Sequence, residues 1–264
     1  AKDHGRNRIH VYQPEDHALV ERHGEMQWVQ RVNRALHENR FRLFYQKVLP
    51  LSSGEHEHYG EILVRMVDEQ GRIVLPMAFI PAAERYQMMP AIDRWVLSAT
   101  LAALAERRPA QGEVSICAIN LSGQSLCDDH FLASVVDMLE ASSINPAHIC
   151  FEITETAAIA NLTRAMRFIT VLKGMGCRFA LDDFGSGLIS FMHLKHLPVD
   201  FLKIDGSFVR DMVGDPVDAA MVEAINRIGH VMGIRTIAEA VESQAILGRL
   251  RDLGVNYAQG TIIA

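Results

Sequence analysis

The sequence predicts an α/β fold, a (β/α)8 TIM-like barrel with an antiparallel first strand. Three observations predict it. Short apolar strand-like runs alternate strictly with helix-like stretches after Phe41, as parallel βα units do. The first two strand-like runs are joined through Ser52-Ser53-Gly54, too short for a crossover helix, so they form a hairpin whose first strand is reversed. Acidic residues stand at the ends of apolar strands: Glu152, the pair Asp182-Asp183, and Glu239. Barrels of this kind assemble their active sites at that position. The chain has 264 residues, 49% of them apolar, which is enough for one barrel of about 250 residues. An open doubly wound sheet would call for a glycine fingerprint after its first strand, and there is none.

Residues 1–16 are polar and basic with one strand-like patch at 8–12, and they are set apart from the rest. Met26, Val29, Val32 and Leu36 then recur at helical spacing. Residues 17–40 are therefore expected to form a linker helix, covering the bottom of the domain or joining it to an upstream one. The barrel is assigned to 41–264. Its strands are expected at 42–48 and 59–66 (the hairpin), then 114–120, 148–153, 178–182, 201–204, 235–238 and 255–257. The intervals carry helical patterns at 92–106, 130–142, 162–173, 188–196, 217–232 and 242–252. No internal repeat or low-complexity segment interrupts this order.

The net charge of −6 argues against DNA or RNA polymers as partners, since they call for a basic face. No apolar stretch reaches the ~18 residues of a membrane segment, and no signal peptide is present. Cys117, Cys127, Cys150 and Cys177 lack paired spacing and are expected to be thiols in a reducing, cytoplasmic setting. The chain reads as a piece of a longer protein, with any sensor or membrane anchor outside it.

Strand parity then selects the chemistry. Side chains alternate between the barrel interior and the helix layer. Lys203 lies between Leu202 and Ile204, Asn120 is in phase with Ile116 and Ala118, Glu152 with Cys150, Asp182 with Ala180, and Glu239 with Ile237. Any one of these could be a strand-end cap or a salt bridge, but five pointing to one mouth make an active site. Carboxylates and an amide oxygen suit Mg2+ or Mn2+ better than zinc. Asp182 and Asp183 could serve two ions with one carboxylate bridging.

The ordered motifs Glu61-Ile-Leu, Asn120-Leu-Ser, Phe151-Glu-Ile-Thr-Glu155, Asp182-Asp-Phe-Gly-Ser-Gly187, Lys203-Ile-Asp-Gly206, Ala238-Glu-Ala-Val-Glu242 and Gln259-Gly260 resemble those of EAL domains, which are cyclic di-GMP phosphodiesterases. Residues 1–12 are similar to the closing segment of a GGDEF domain, which implies a GGDEF–EAL tandem with an upstream GGDEF-like partner domain. By this resemblance Glu61, Asn120, Glu152 and Asp182 would hold a first divalent cation, and Asp182, Asp183 and Glu239 a second. Lys203 matches the lysine that holds the attacking water, and Glu239 is a second candidate for the base; Glu152 counts with this catalytic set as well as with the ligands. Gln259 matches an outer-shell glutamine, and Glu155 a glutamate that steadies the loop after the Asp pair. Gln46, Arg65 and Asp205 match substrate contacts, Arg65 for a phosphate and Asp205 for a guanine edge. The chain departs from the family in Ile62 for the usual Ala, Ala240 for the usual Gly, Leu188-Ile189 for Tyr-Ser, and the residues after Gly260.

The implied activity is hydrolysis of cyclic di-GMP to linear pGpG with two Mg2+ or Mn2+ ions, Ca2+ being inhibitory. The alternative is a receptor that binds the dinucleotide uncut and signals to a partner. A third reading is a dimerisation platform, with the chain forming a homodimer.

Overall fold

The computed structural model describes residues 17–51, 58–106, 115–185 and 194–263. The segment 1–16, with its strand-like patch, and most of the expected helix at 188–196 lie outside them. β1 (Phe41–Pro50) and β2 (His58–Val67) form the expected hairpin, with Gln46 opposite Glu61. β3 (Ile73–Val74) is a short strand hanging from the end of β2. The barrel continues in parallel through β4 (Ser115–Leu121), β5 (Ile149–Thr154), β6 (Arg178–Phe184), β7 (Phe201–Ile204), β8 (Arg235–Ala238) and β9 (Tyr257–Ala258). β9 pairs with β1, and β1 with β2, which closes the ring. Reversed β1 is antiparallel to both of its neighbours.

Among the described residues the α-helices are α1 (His17–His37), α2 (Pro76–Arg85), α3 (Met89–Glu106), α4 (Gly123–Leu126), α5 (Asp129–Ala141), α6 (Glu155–Ala160), α7 (Leu162–Gly174), α8 (Gly206–Asp211), α9 (Pro216–Val231) and α10 (Gln244–Asp252). The long ones follow the helical periodicity read in the sequence. α4, α6 and α8 are too short to show a 3.6-residue period. Each begins where a strand ends: Ser122, Thr154 and Asp205 sit at their N-caps and accept backbone N–H bonds from Ser125, Ala157 and Ser207. In α2, Pro76 fits the first turn, where no N–H partner is needed, and Pro81 follows inside the helix. Two prolines hide that helix from a reading by punctuation.

Apolar side chains form two shells. Outside the strands, Phe151 and Phe179 pack on Phe168 of α7, with ring centroids 6.3 and 6.4 Å away. Inside, Val48, Tyr59, Ile116, Ala118, Cys150, Ala180, Phe201, Ile237 and Tyr257 plug the barrel. Tyr59 meets Phe201 edge-on at 5.0 Å, and Tyr257 completes the aromatic floor 6.0 Å from Tyr59.

α1 is placed differently from one of its two expected positions. It leads into Phe41, which pairs with Met66 near the C-terminal end of β2, so it reaches the barrel on the mouth side and packs against α2. It does not cover the bottom. Val32 and Ala35 are fully buried, and Trp28, Val29 and Leu36 lie against the core, so this half of the helix is built into the domain. The four cysteines are free thiols. Among the described residues no helix is long and apolar enough to cross a membrane.

Candidate active site

One residue pair on each barrel strand builds the mouth. Two positions beyond each inner plug residue, the side chain returns to the interior and is polar. Glu61 lies beyond Tyr59, Asn120 beyond Ala118, Glu152 beyond Cys150, and Asp182 beyond Ala180. Lys203 lies beyond Phe201, Glu239 beyond Ile237, and Gln259 beyond Tyr257. On reversed β1 the step runs backwards, from Val48 to Gln46. Every strand of the barrel therefore delivers one polar group to the same level.

Lys203 stands at the centre, 1% exposed. Its Nζ lies 2.9 Å from Glu152 Oε2, 2.9 Å from Glu239 Oε1, 3.0 Å from Asp182 Oδ1 and 3.4 Å from Glu61 Oε2. Neutral donors also hold Glu61 and the second oxygen of Glu152. Asn120 Nδ2 donates to Glu61 Oε1 at 2.5 Å, and Gln259 Nε2 to Glu61 Oε2 at 2.6 Å. Tyr59 donates its hydroxyl to Glu152 Oε1 at 3.0 Å. Gln259 Nε2 also reaches Gln46 Oε1 at 3.1 Å, while Gln259 Oε1 is buried without a donor among the described residues.

Asp183 joins this group through a local break in the strand. Regular alternation would send it to the outer face. The β6–β7 register shifts between Leu181 and Phe184, and Asp183 takes the left-handed region at φ 54°, followed by Gly185 at φ 100°. This bulge turns consecutive carboxylates to one side. Glu155, 2% exposed, accepts the Gly185 N–H at 3.0 Å and ties the turn to the start of α6. Ala240 is also left-handed, at φ 51°, where glycine would be unstrained, and its methyl occupies the space above Gly206.

The electrostatics follow from burial and crowding. Desolvation pushes Glu152 up to about 8 and Glu239 up to about 7, against the pull of Lys203. Burial and the Asp182 charge raise Asp183 as well. Burial works the same way on Glu61, but Lys203, Gln259 and Asn120 outweigh it and hold that carboxyl below its usual value. Burial opposes the Lys203 charge, and the surrounding carboxylates more than reverse this, raising its pKa well above the usual lysine value. Glu61, Glu152, Asp182, Asp183 and Glu239 outnumber the one ammonium five to one.

Such a set fits a divalent cation. Asp182, Asp183 and Glu239 each offer an oxygen, all within 4.8 Å of one another. Hard oxygen donors of this kind match Mg2+ or Mn2+. Glu61 and Glu152 approach Asp182 around Lys203 Nζ, which lies between them.

A cavity of about 530 Å3 opens beside the cluster. Gln46, Glu61, Asp183, Asp205, Glu239 and Gln259 are among the residues lining it. Arg65 is not among them: it lies further along β2, with its guanidinium 5.6 Å from the centre of the Phe44 ring. Two contributors were missed in the sequence. Tyr59 was hidden by its apolar body, although it shares the phase of Glu61. Asp93 of α3 accepts at Oδ2 from Ser122 N–H, Ser122 Oγ and Ser125 Oγ at 3.0, 2.7 and 2.6 Å, so it secures the turn just after Asn120. The sequence signal for it is an acidic residue in phase with the apolar ones of α3, Ile92, Val96 and Leu97.

The family model described as EAL domain matches residues 29–264. The cyclic di-GMP phosphodiesterase PdeB of Shewanella oneidensis is 40% identical over 263 residues, which cover 100% of this chain and 31% of that protein. The chain therefore spans about a third of that relative's length. The EAL domain of FimX from Pseudomonas aeruginosa, solved bound to c-di-GMP, is similar with a TM-score of 0.82 and 32% identity, over 88% of this chain and 93% of that one. The PaMucR phosphodiesterase in its c-di-GMP complex gives 0.83 and 29%, over 90% and 96%.

Proposed function

The chain belongs to the EAL domain family, and we propose that it hydrolyses one phosphodiester of cyclic di-GMP and releases linear pGpG. The observation that carries this reading is the surround of Lys203: a buried ammonium among four carboxylates, next to a cavity large enough for part of a dinucleotide. A dianionic ligand is repelled by such a cluster unless cations neutralise it. The relative named as a cyclic di-GMP phosphodiesterase and the two complexes with c-di-GMP support the same reading.

Asp182, Asp183 and Glu239 would hold one divalent cation, and Glu61, Asn120, Glu152 and Asp182 a second, Mg2+ or Mn2+ in each case. When bound, these ions supply charge neutralisation at the phosphate and a more acidic water. The remaining chemistry belongs to the chain. Lys203 orients the attacking water through its N–H bonds, and Glu239, whose Oε1 lies 2.9 Å from Lys203 Nζ, is the residue placed to take the proton. Glu152 fixes Lys203 by accepting from its Nζ. Gln46 and Asp205 contact substrate from the cavity wall, Asp205 by accepting from a guanine edge. Arg65 would move from Phe44 to meet a phosphate. Glu155 and Gln259 support, the first by holding Gly185 and the second by holding Glu61.

In the same proposal residues 1–16 end a GGDEF-like domain, the helix over 17–40 joins it to the barrel at 41–264 while packing its second half on the core, and the protein works in the cytoplasm. Incubation with cyclic di-GMP and Mg2+, followed by chromatography, tests the activity. Appearance of pGpG supports the enzyme, and undiminished substrate with full binding points instead to a receptor.

A further inference from the structure

Glu152 is held by two residues that do different things. Lys203 is shared among four carboxylates and cannot specify the position of any one of them. Tyr59 donates to Glu152 alone of the four, reaching across the barrel from β2 to β5 at 3.0 Å. Its hydroxyl also lies 3.5 Å from Cys150 Sγ. The phenol O–H of Tyr59 supplies a donor to this carboxylate.

The direction of that donor is fixed by packing. Tyr59 is fully buried, its ring edge-on to Phe201 at an interplanar angle of 72° and tilted 44° to Tyr257. Both neighbours sit in the inner plug, directly beneath Lys203 and Gln259 along their strands. The aromatic floor therefore does more than fill the barrel: it aims one hydroxyl upward into the layer of polar groups. With Oε1 tied to Tyr59, Glu152 turns Oε2 toward the centre of the mouth, where Lys203 meets it at 2.9 Å.

We propose that Tyr59 is a positioning residue, whose hydroxyl fixes Glu152 so that one defined oxygen faces the cation site. The inference rests on the reading of Glu152 as a ligand. Partners of this kind orient metal-binding carboxylates and typically contribute 10–100-fold to affinity or rate.

Tyr59→Phe removes the hydroxyl and keeps the ring and its packing. Mn2+ titration calorimetry is expected to show affinity about tenfold weaker than wild type. At saturating Mn2+, kcat for cyclic di-GMP is expected to fall about tenfold with KM changed less than about twofold. Glu152→Ala leaves Asp182, Asp183 and Glu239 to bind Mn2+; adding Tyr59→Phe to it is expected to change affinity by less than about twofold, because nothing remains to be positioned. Wild-type Mn2+ affinity in Tyr59→Phe, or equal losses with and without Glu152, would overturn the role of Tyr59 while leaving the cation site intact. A wild-type chain that binds no Mn2+ would overturn both the site and the inference.

Discussion

Replacing Lys203 by Met should convert the mouth from a compensated cluster into an uncompensated one. Methionine matches the length of the lysine stem but leaves Glu61, Glu152, Asp182 and Glu239 without the ammonium that now lies 2.9–3.4 Å from each. Removing one partner of a buried ion pair typically costs about 3–5 kcal/mol. For a domain of this size, that is a fall in Tm of roughly 6–20 °C. The loss should depend on pH in a defined sense. Burial raises the carboxyls of Glu152 and Glu239 from 4.5 to about 8 and about 7 in the metal-free fold, so the folded state binds protons there that the unfolded chain does not. Stability from these groups is full below their unfolded pKa and is lost as pH rises through the folded values. Without Lys203 both carboxyls rise further, and the decline extends above pH 8. Thermal melts of both proteins in EDTA should therefore diverge from pH 6 to pH 9, and Mn2+ should narrow the gap. Equal melting temperatures at high pH in EDTA would refute the role of Lys203 as internal counter-ion.

Glu155→Ala removes the acceptor of the Gly185 N–H, and turnover should fall about tenfold, the equivalent of one charge-assisted hydrogen bond. Mn2+ affinity measured without substrate should stay within about twofold of wild type; a large loss would make Glu155 a ligand. Asp93→Asn tests the tie behind Asn120. Burial, against the pull of Ser125 and Ser122, raises Asp93 from 3.8 to about 6, so stability from its carboxyl is lost as pH climbs through that window. Urea unfolding of the variant should gain on wild type by about 2.4 kcal/mol between pH 4 and pH 7. Parallel curves would remove Asp93 from that account.

Much of this site could be read in the sequence because a strand has a period of two. Lys203 between Leu202 and Ile204 is unambiguous, and Asn120, Glu152, Asp182 and Glu239 follow by the same rule. Asp183 is the informative exception. Alternation sends it to the wrong face, and only the bulge at φ 54° turns it to the side of Asp182; local strain of this kind has no signature beyond the glycine that follows. Tyr59 and Asp93 depend on tertiary reach, from β2 to β5 and from α3 to the end of β4. No short-range pattern encodes such distances. The position of α1 was also beyond reach, because its apolar stripe says that it packs but not against what. The short helices α4, α6 and α8 span too few residues to show a period, and their caps Ser122, Thr154 and Asp205 are found only in the structure.

Cation exchange in one reaction vessel separates cleavage by this domain from binding alone. Ca2+ accepts the same oxygen donors at about 2.3–2.6 Å with loose geometry, whereas Mg2+ demands about 2.0–2.1 Å and a near-octahedral shell. Cyclic di-GMP is first bound in Ca2+ and followed by calorimetry, then Mg2+ is supplied in excess and the products are separated by chromatography. The account predicts binding without cleavage in Ca2+, and linear pGpG once Mg2+ is added. Tight binding with no pGpG in Mg2+ or Mn2+ would contradict it.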